Sequence, residues 1–223
     1  MSMQAGQAMF PNVIVDRAAL AQLLAERQSA GERAVFTNGI FDLLHLGHIQ
    51  YLQRARALGD LLIVGVNSDA STRRLKGPRR PLTPQDERAQ TLAALTAVDY
   101  VTIFDEDTTE ATLQALRPAI CVKGADYAVT TEDGQGQSRD YQIGADDLRR
   151  LLTGQAPRDL ALAGLRGLAK RLGAEAEVIA SYGGSLALLA YLPGHSTSEL
   201  IARILVRYAP ADASDALKAP PSN

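Results

Sequence analysis

The feature that most constrains this chain is a repeated alternation of short, predominantly apolar segments with stretches of helical periodicity. The segments AVFTNG (34–39), LLIVGVN (61–67), YVTIF (100–104), AICVK (119–123) and LALLAYL (186–192) show no in/out alternation. Strands of that kind are buried on both faces. The stretches between them read as helices. A lead-in helix covers 16–30, with Asp16 as N-cap and Leu20, Leu23 and Leu24 on one side. A Leu- and Ala-rich stretch runs to Leu58, and further helices cover 84–97, 108–116 and about 196–207. Apolar strands separated by amphipathic helices imply an α/β fold: a Rossmann-like, doubly wound, parallel five-stranded sheet covered on both faces.

The rhythm breaks after Asp126. Residues 128–144 are polar and Gly-rich and read as a surface excursion. Residues 146–173 read as one or two amphipathic helices, with Leu148, Leu151 and Leu152 before Pro157, and Leu162, Leu165, Leu168 and Leu172 after it. A chain of 223 residues fits one medium domain with a substantial insertion. The expected organisation is a single domain over 13–207 carrying a helical insertion at 128–176, with disordered termini at 1–12 and 208–223.

Composition narrows the partners. With 46% hydrophobic residues, 22% charged residues and a net charge of -2, the chain lacks the basic excess of a protein that lives on a phosphate backbone. No nucleic-acid partner is expected, and any anion it binds is small. The single cysteine, Cys121, cannot form an internal disulfide and reads as a small buried hydrophobe in a reducing compartment. The first residues lack the basic start and apolar run of a signal peptide, and no run approaches membrane-spanning length. A cytoplasmic protein with no membrane partner is the expectation.

The sharpest local feature is NGIFDLLHLGH (38–48), between the first strand and a helix. In an open parallel sheet ligands bind where strand carboxyl ends meet helix N-termini. Gly39 is expected to supply backbone freedom for the turn, and the N–H groups at the helix start favour an anion, phosphate above all. His45 and His48 are three apart, so a helix puts them on one face, within reach of one phosphate group. The same spacing fits a surface pair on an amphipathic helix. It also suits metal ligands, although no carboxylate or thiol is placed to complete a dedicated site.

These residues and a series of others resemble the H-x-G-H nucleotidyltransferase superfamily, and within it the heptose 1-phosphate adenylyltransferases. The likeness runs through TNGIFDLLHLGH, VNSDAST, RLKG, RPLTPQDER, AVDYVTIFDEDT and VKGADY, and resumes at GHSTSELI. It implies transfer of AMP from ATP, with Mg2+, to a phosphorylated sugar. Ile40 and Phe41 would offer backbone contacts to the triphosphate, and His45 and His48 would bind its phosphates and stabilise the transition state. Gly194, His195, Ser196, Thr197 and Ser198 match the family's second signature, whose amides and hydroxyls hold the β and γ phosphates. Ser196 with Glu199 also makes an ordinary capping box.

The same likeness puts Asp42, Asn67 and Asp69 near the acceptor, and Lys123, Gly124, Asp126 and Tyr127 near the nucleoside and acceptor. Asp69 could equally cap the turn that follows it. The basic stretch Arg73, Arg74, Lys76, Arg79 and Arg80, leading to Arg88, reads either as a solvated loop or as a flap whose Lys76 and Arg80 neutralise phosphate charge. The segment 128–176 is longer than its counterpart in the family, and Ser198 stands where Thr is usual. A homodimer is the expected assembly. Two rival functions fit the short motifs: a cytidylyltransferase acting on glycerol 3-phosphate or a similar phospho-alcohol, and a non-catalytic nucleotide-binding protein.

Overall fold

The computed structural model describes residues 13–124, 141–153, 172–189 and 197–208. In chain order these form α1 (Arg17–Ser29), β1 (Ala34–Gly39), α2 (Leu46–Arg56), β2 (Leu61–Asn67), α3 (Asp69–Lys76), α4 (Gln85–Ala93), β3 (Tyr100–Phe104) and α5 (Glu110–Leu116). They continue with β4 (Ile120–Lys123), β5 (Tyr141–Ile143), α6 (Ala145–Leu152), α7 (Ala174–Ser181), β6 (Ser185–Leu188) and α8 (Thr197–Tyr208). Asp16 caps α1 as expected, accepting from the N–H groups of Ala18 and Ala19, both at 3.0 Å.

The sheet runs β3-β2-β1-β4-β6-β5. Every pairing from β3 to β6 is parallel. The chain winds outward from β1 through β2 to β3, then returns to the other side of β1 to lay down β4. The winding therefore reverses between β1 and β4, and in an open α/β sheet the crevice at such a reversal is where ligands bind.

Successive strand residues fall into two separate cores. Phe36, Ile63, Cys121 and Leu186 pack with α1, α5, α6 and α7 on one face. Val35, Leu62, Val122 and Ala187 pack with α2 and α4 on the other. This alternation between two apolar faces is why each strand reads as hydrophobic throughout. Each fully buried Leu, Ile or Phe contributes about 1.5–3 kcal/mol of transfer free energy. Cys121 is buried in the first core, which pushes its thiol up to about 12.

Two elements depart from expectation. Residues 141–143 form a sixth strand, antiparallel to β6, inside the segment read as a polar excursion. Three residues are too short to display a period, and Ile143 enters the core. The basic stretch after Asn67 is partly helical rather than loop. Ser68 caps α3 by accepting from the Ser71 N–H at 3.0 Å, and Arg73, Arg74 and Lys76 complement the dipole of its last turn. The helix expected at 84–97 ends at Ala93, and the helix expected from 108 starts at Glu110. Among the described parts of 128–176, α6 and α7 contribute Leu148, Leu151, Ala176 and Ile179 to the first core. No described helix is long and apolar enough to cross a membrane.

Candidate active site

The turn from β1 into α2 lies at the β1 side of the crevice. Its strained residue is Phe41, whose φ of 51° is left-handed. Gly39 therefore does not supply the unusual backbone; it supplies room. A Cβ at Gly39 would stand 2.9 Å from Cε2 of Phe41. That ring is buried in the second core and lies 5.3 Å from the His48 ring.

His45 occupies the N-cap position of α2 in extended conformation, and no side chain caps the helix start. The His48 N–H donates to the His45 carbonyl at 3.0 Å, which seats His48 in the first turn. The two imidazoles stack with centroids 3.9 Å apart and planes 24° apart. Burial, and secondarily the neighbouring charge of His45, push the His48 ring down to about 4. Its Nδ1 is buried and has no hydrogen-bond partner among the described residues. At neutral pH this is an uncharged ring at an uncapped helix N-terminus, where backbone N–H groups favour an anion.

A second set of contacts fixes the turn from below. The Asp42 carboxylate accepts from the N–H groups of Leu82 and Thr83 at 2.7 and 2.9 Å, and Arg80 forms an ion pair with it at 2.7 Å. The Thr83 hydroxyl donates to the Asp42 carbonyl at 2.9 Å. Arg88 donates to the carbonyls of Ile40, Thr83 and Asn67 and to the Asp69 carboxylate. The Asn67 side chain donates to the Ser71 hydroxyl at 3.1 Å. The side chains of Asp42, Asn67 and Arg88, expected to border the substrate, are buried and bonded to the protein itself. Asp69 opens α3 and is engaged by Arg88 at 2.7 Å, while Ser68 is the cap.

Across the crevice, β4 ends at Lys123. Its Nζ donates to Oδ1 of Asn38 at 2.9 Å and pairs with Glu175 at 2.7 Å, both side chains almost wholly buried. Glu175 lies in the first turn of α7 and also accepts from the Thr109 hydroxyl and N–H. Burial raises its carboxyl, but Lys123 and Thr109 together outweigh this and hold it below the ordinary value. Beside Lys123, the Tyr51 hydroxyl of α2 lies 2.7 Å from the Thr37 hydroxyl, and both donate to the Val122 carbonyl. Gly124 adjoins the Tyr51 ring.

Ile40, Phe41, Asp42, His45, His48, Asn67, Asp69, Arg80, Arg88 and Lys123 thus belong to a linked set at the carboxyl ends of β1, β2 and β4. Lys76 stands apart, exposed in the last turn of α3. Asp126, Tyr127, Gly194, His195 and Ser196 lie outside the described residues, and Thr197 and Ser198 are seen as the first residues of α8. Sequence reading missed Asn38, Thr83 and Glu175. Thr83 had a signal, a hydroxyl directly before Pro84 at a helix start, whereas Glu175 had none. Among the described residues no group of three or more His, Cys, Asp or Glu side chains could hold a metal ion.

Residues 36–156 match the cytidylyltransferase-like family model. The chain is 44% identical over 189 residues to the bifunctional protein HldE of Geobacter sulfurreducens, covering 85% of this chain and 30% of that protein. It is 63% identical over 97 residues to the bifunctional protein HldE of Nitratiruptor sp., covering 44% of this chain and 21% of that protein. The chain thus spans less than a third of the length of these relatives. A solved structure, the lipopolysaccharide core biosynthesis protein of Thermoplasma volcanium, is 36% identical over 43% of this chain and 77% of its own, with a TM-score of 0.40. A matched family model over more than half of the sequence, with the stacked histidines inside it, establishes that the chain belongs to the cytidylyltransferase-like family of nucleotidyltransferases.

Proposed function

We propose that this nucleotidyltransferase moves AMP from ATP to a sugar 1-phosphate, with heptose 1-phosphate as the acceptor, giving an ADP-sugar and pyrophosphate. The observation that carries this reading is the stacked His45–His48 pair at the uncapped start of α2, beside the reversal between β1 and β4. Identity of 44% to a protein named HldE supports the heptose acceptor.

The acceptor phosphate is already an anion, so its oxygen attacks the α-phosphorus without a general base. The new bond forms from that oxygen to phosphorus, and the bond to the bridging oxygen breaks. Pyrophosphate leaves with the electron pair. The protein's task is alignment and charge stabilisation. His45 and His48 offer ring N–H groups to the triphosphate, and the Ile40 and Phe41 backbone lies beside it. Gly194 to Ser198 hold the β and γ phosphates. Lys76 and Arg80 close over the phosphates, while Lys123 and Gly124 border the nucleoside and Asp126 and Tyr127 the acceptor. Magnesium would arrive bound to the triphosphate, neutralising part of its charge. The protein works as a cytoplasmic homodimer.

The test is pyrophosphate release from ATP and from CTP, each against heptose 1-phosphate, other sugar 1-phosphates and glycerol 3-phosphate. ATP with heptose 1-phosphate is the expected productive pair. CTP with glycerol 3-phosphate as the preferred pair would replace this reading with the phospho-alcohol one. Tight nucleotide binding with no release from any pair would make the chain a non-catalytic nucleotide binder.

A further inference from the structure

Arg88 is 1% exposed, yet its guanidinium meets four acceptors from four different segments. Nε donates to the Thr83 carbonyl at 2.9 Å, one terminal nitrogen to the Ile40 carbonyl, and the other to the Asn67 carbonyl at 2.9 Å and to Asp69 at 2.7 Å. The acceptors come from the β1–α2 turn, the end of β2, the first residue of α3 and the loop before α4. Only a planar fork of N–H donors can reach such a set together. A buried ion pair is poor evidence of stability, because a well-packed apolar side chain can be as stable there. What this one supplies is geometry.

In a trans peptide the carbonyl and the following N–H point in opposite directions. With the Ile40 carbonyl drawn inward to Arg88, the Phe41 N–H of the same peptide is turned away from Arg88. The next backbone conformation, φ 51° at Phe41, is one a bulky residue holds only when its surroundings over-determine it. We propose that Arg88 is the positioning residue of the phosphate turn: by gripping the Ile40 carbonyl it holds Phe41 in its left-handed conformation and presents the Phe41 amide to the nucleotide's phosphates. This rests on the nucleotidyl-transfer reading above, and it assigns Arg88 no contact with substrate.

The test is Arg88→Lys, which keeps the cation but cannot grip all four acceptors, read in two ways. In hydrogen–deuterium exchange without substrate, peptides covering Ile40 to Leu44 should exchange about tenfold faster, while the β2 interior is unchanged. In turnover measured well below the melting point, kcat/KM for the nucleotide should fall about a hundredfold, as for misplaced donors. A merely structural arginine would lower Tm and leave both readouts within twofold. That result overturns the proposal. If Arg88→Lys does not fold, Asp69→Asn decides: it weakens the grip but leaves three carbonyl acceptors, so about threefold faster exchange at Ile40 to Leu44 is expected. Unchanged exchange would overturn the proposal. If the parent protein releases no pyrophosphate with any acceptor, the functional reading fails, while the exchange experiment still decides the role of Arg88.

Discussion

His48 lies against His45 in a ring stack 3.9 Å deep, with one ring at the N-cap of α2 and the other in its first turn. Burial, with the neighbouring His45, holds the His48 ring well below its ordinary value. On the proposed function this pair donates ring N–H groups to phosphate, reinforced by the helix start behind it.

Replacing His48 with Ala should lower turnover about a hundredfold to a thousandfold, the usual cost of removing one preorganised donor to developing charge. His45→Ala should fall in the same range. Circular dichroism should match the parent, because neither ring belongs to the two apolar cores. Near-normal pyrophosphate release by either variant would remove that residue from the phosphate site.

The same burial makes stability depend on pH. The His48 ring is held at about 4 in the folded protein against an ordinary 6.5. Between those values the unfolded chain takes up a proton that the native protein refuses. The native state is therefore favoured above the ordinary value and loses ground as pH falls towards the folded value. Urea midpoints should drop from pH 7 to pH 5 in the parent. His48→Gln should show a flatter profile over that interval, and an equally steep one would mean that another group titrates there.

Much of this was legible in the sequence because the parallel strands are predominantly apolar on both faces, LLIVGVN most plainly. The turn from β1 into α2 was legible too, since Gly, His and a helix start sit within one short segment. The roles of the charged residues were not. Arg88 and Asp42 were identifiable as charges near the site, but whether a guanidinium meets substrate or four protein acceptors depends on how β1, β2 and α4 are brought together. Glu175 was hidden altogether, because its partner Lys123 is distant in sequence and meets it only after α7 packs on the sheet.

That pairing gives a stability prediction. Glu175→Ala removes the buried Lys123–Glu175 ion pair and should cost about 3 kcal/mol, the usual order for breaking one partner of a buried pair. Thr109 at the start of α5 loses its acceptor in the same step. Glu175→Gln, which can still accept a hydrogen bond, should cost less. Chemical denaturation of both variants measures the difference, and equal stability of Glu175→Ala and parent would show that Lys123 finds compensation elsewhere.

Two glycines separate the needs of the site from those of the core. In β2, a Cβ at Gly65 would meet Phe36 at 2.9 Å and Phe104 at 3.2 Å. Both are buried rings in strands, so Gly65→Ala should cost about 1–3 kcal/mol of stability by overpacking and leave turnover per folded molecule near normal. At Gly39 the three atoms nearest the Cβ would all belong to the Phe41 ring, at 2.9, 3.2 and 3.3 Å. That ring cannot swing freely, because it is buried and packs beside His48. The clash is therefore relieved by displacing the turn itself, and Gly39→Ala should cost more in kcat/KM than in Tm. Measuring both quantities on both variants sets the contrast, and a Gly39→Ala protein that melts early but turns over normally would show that the glycine serves packing rather than the phosphate turn.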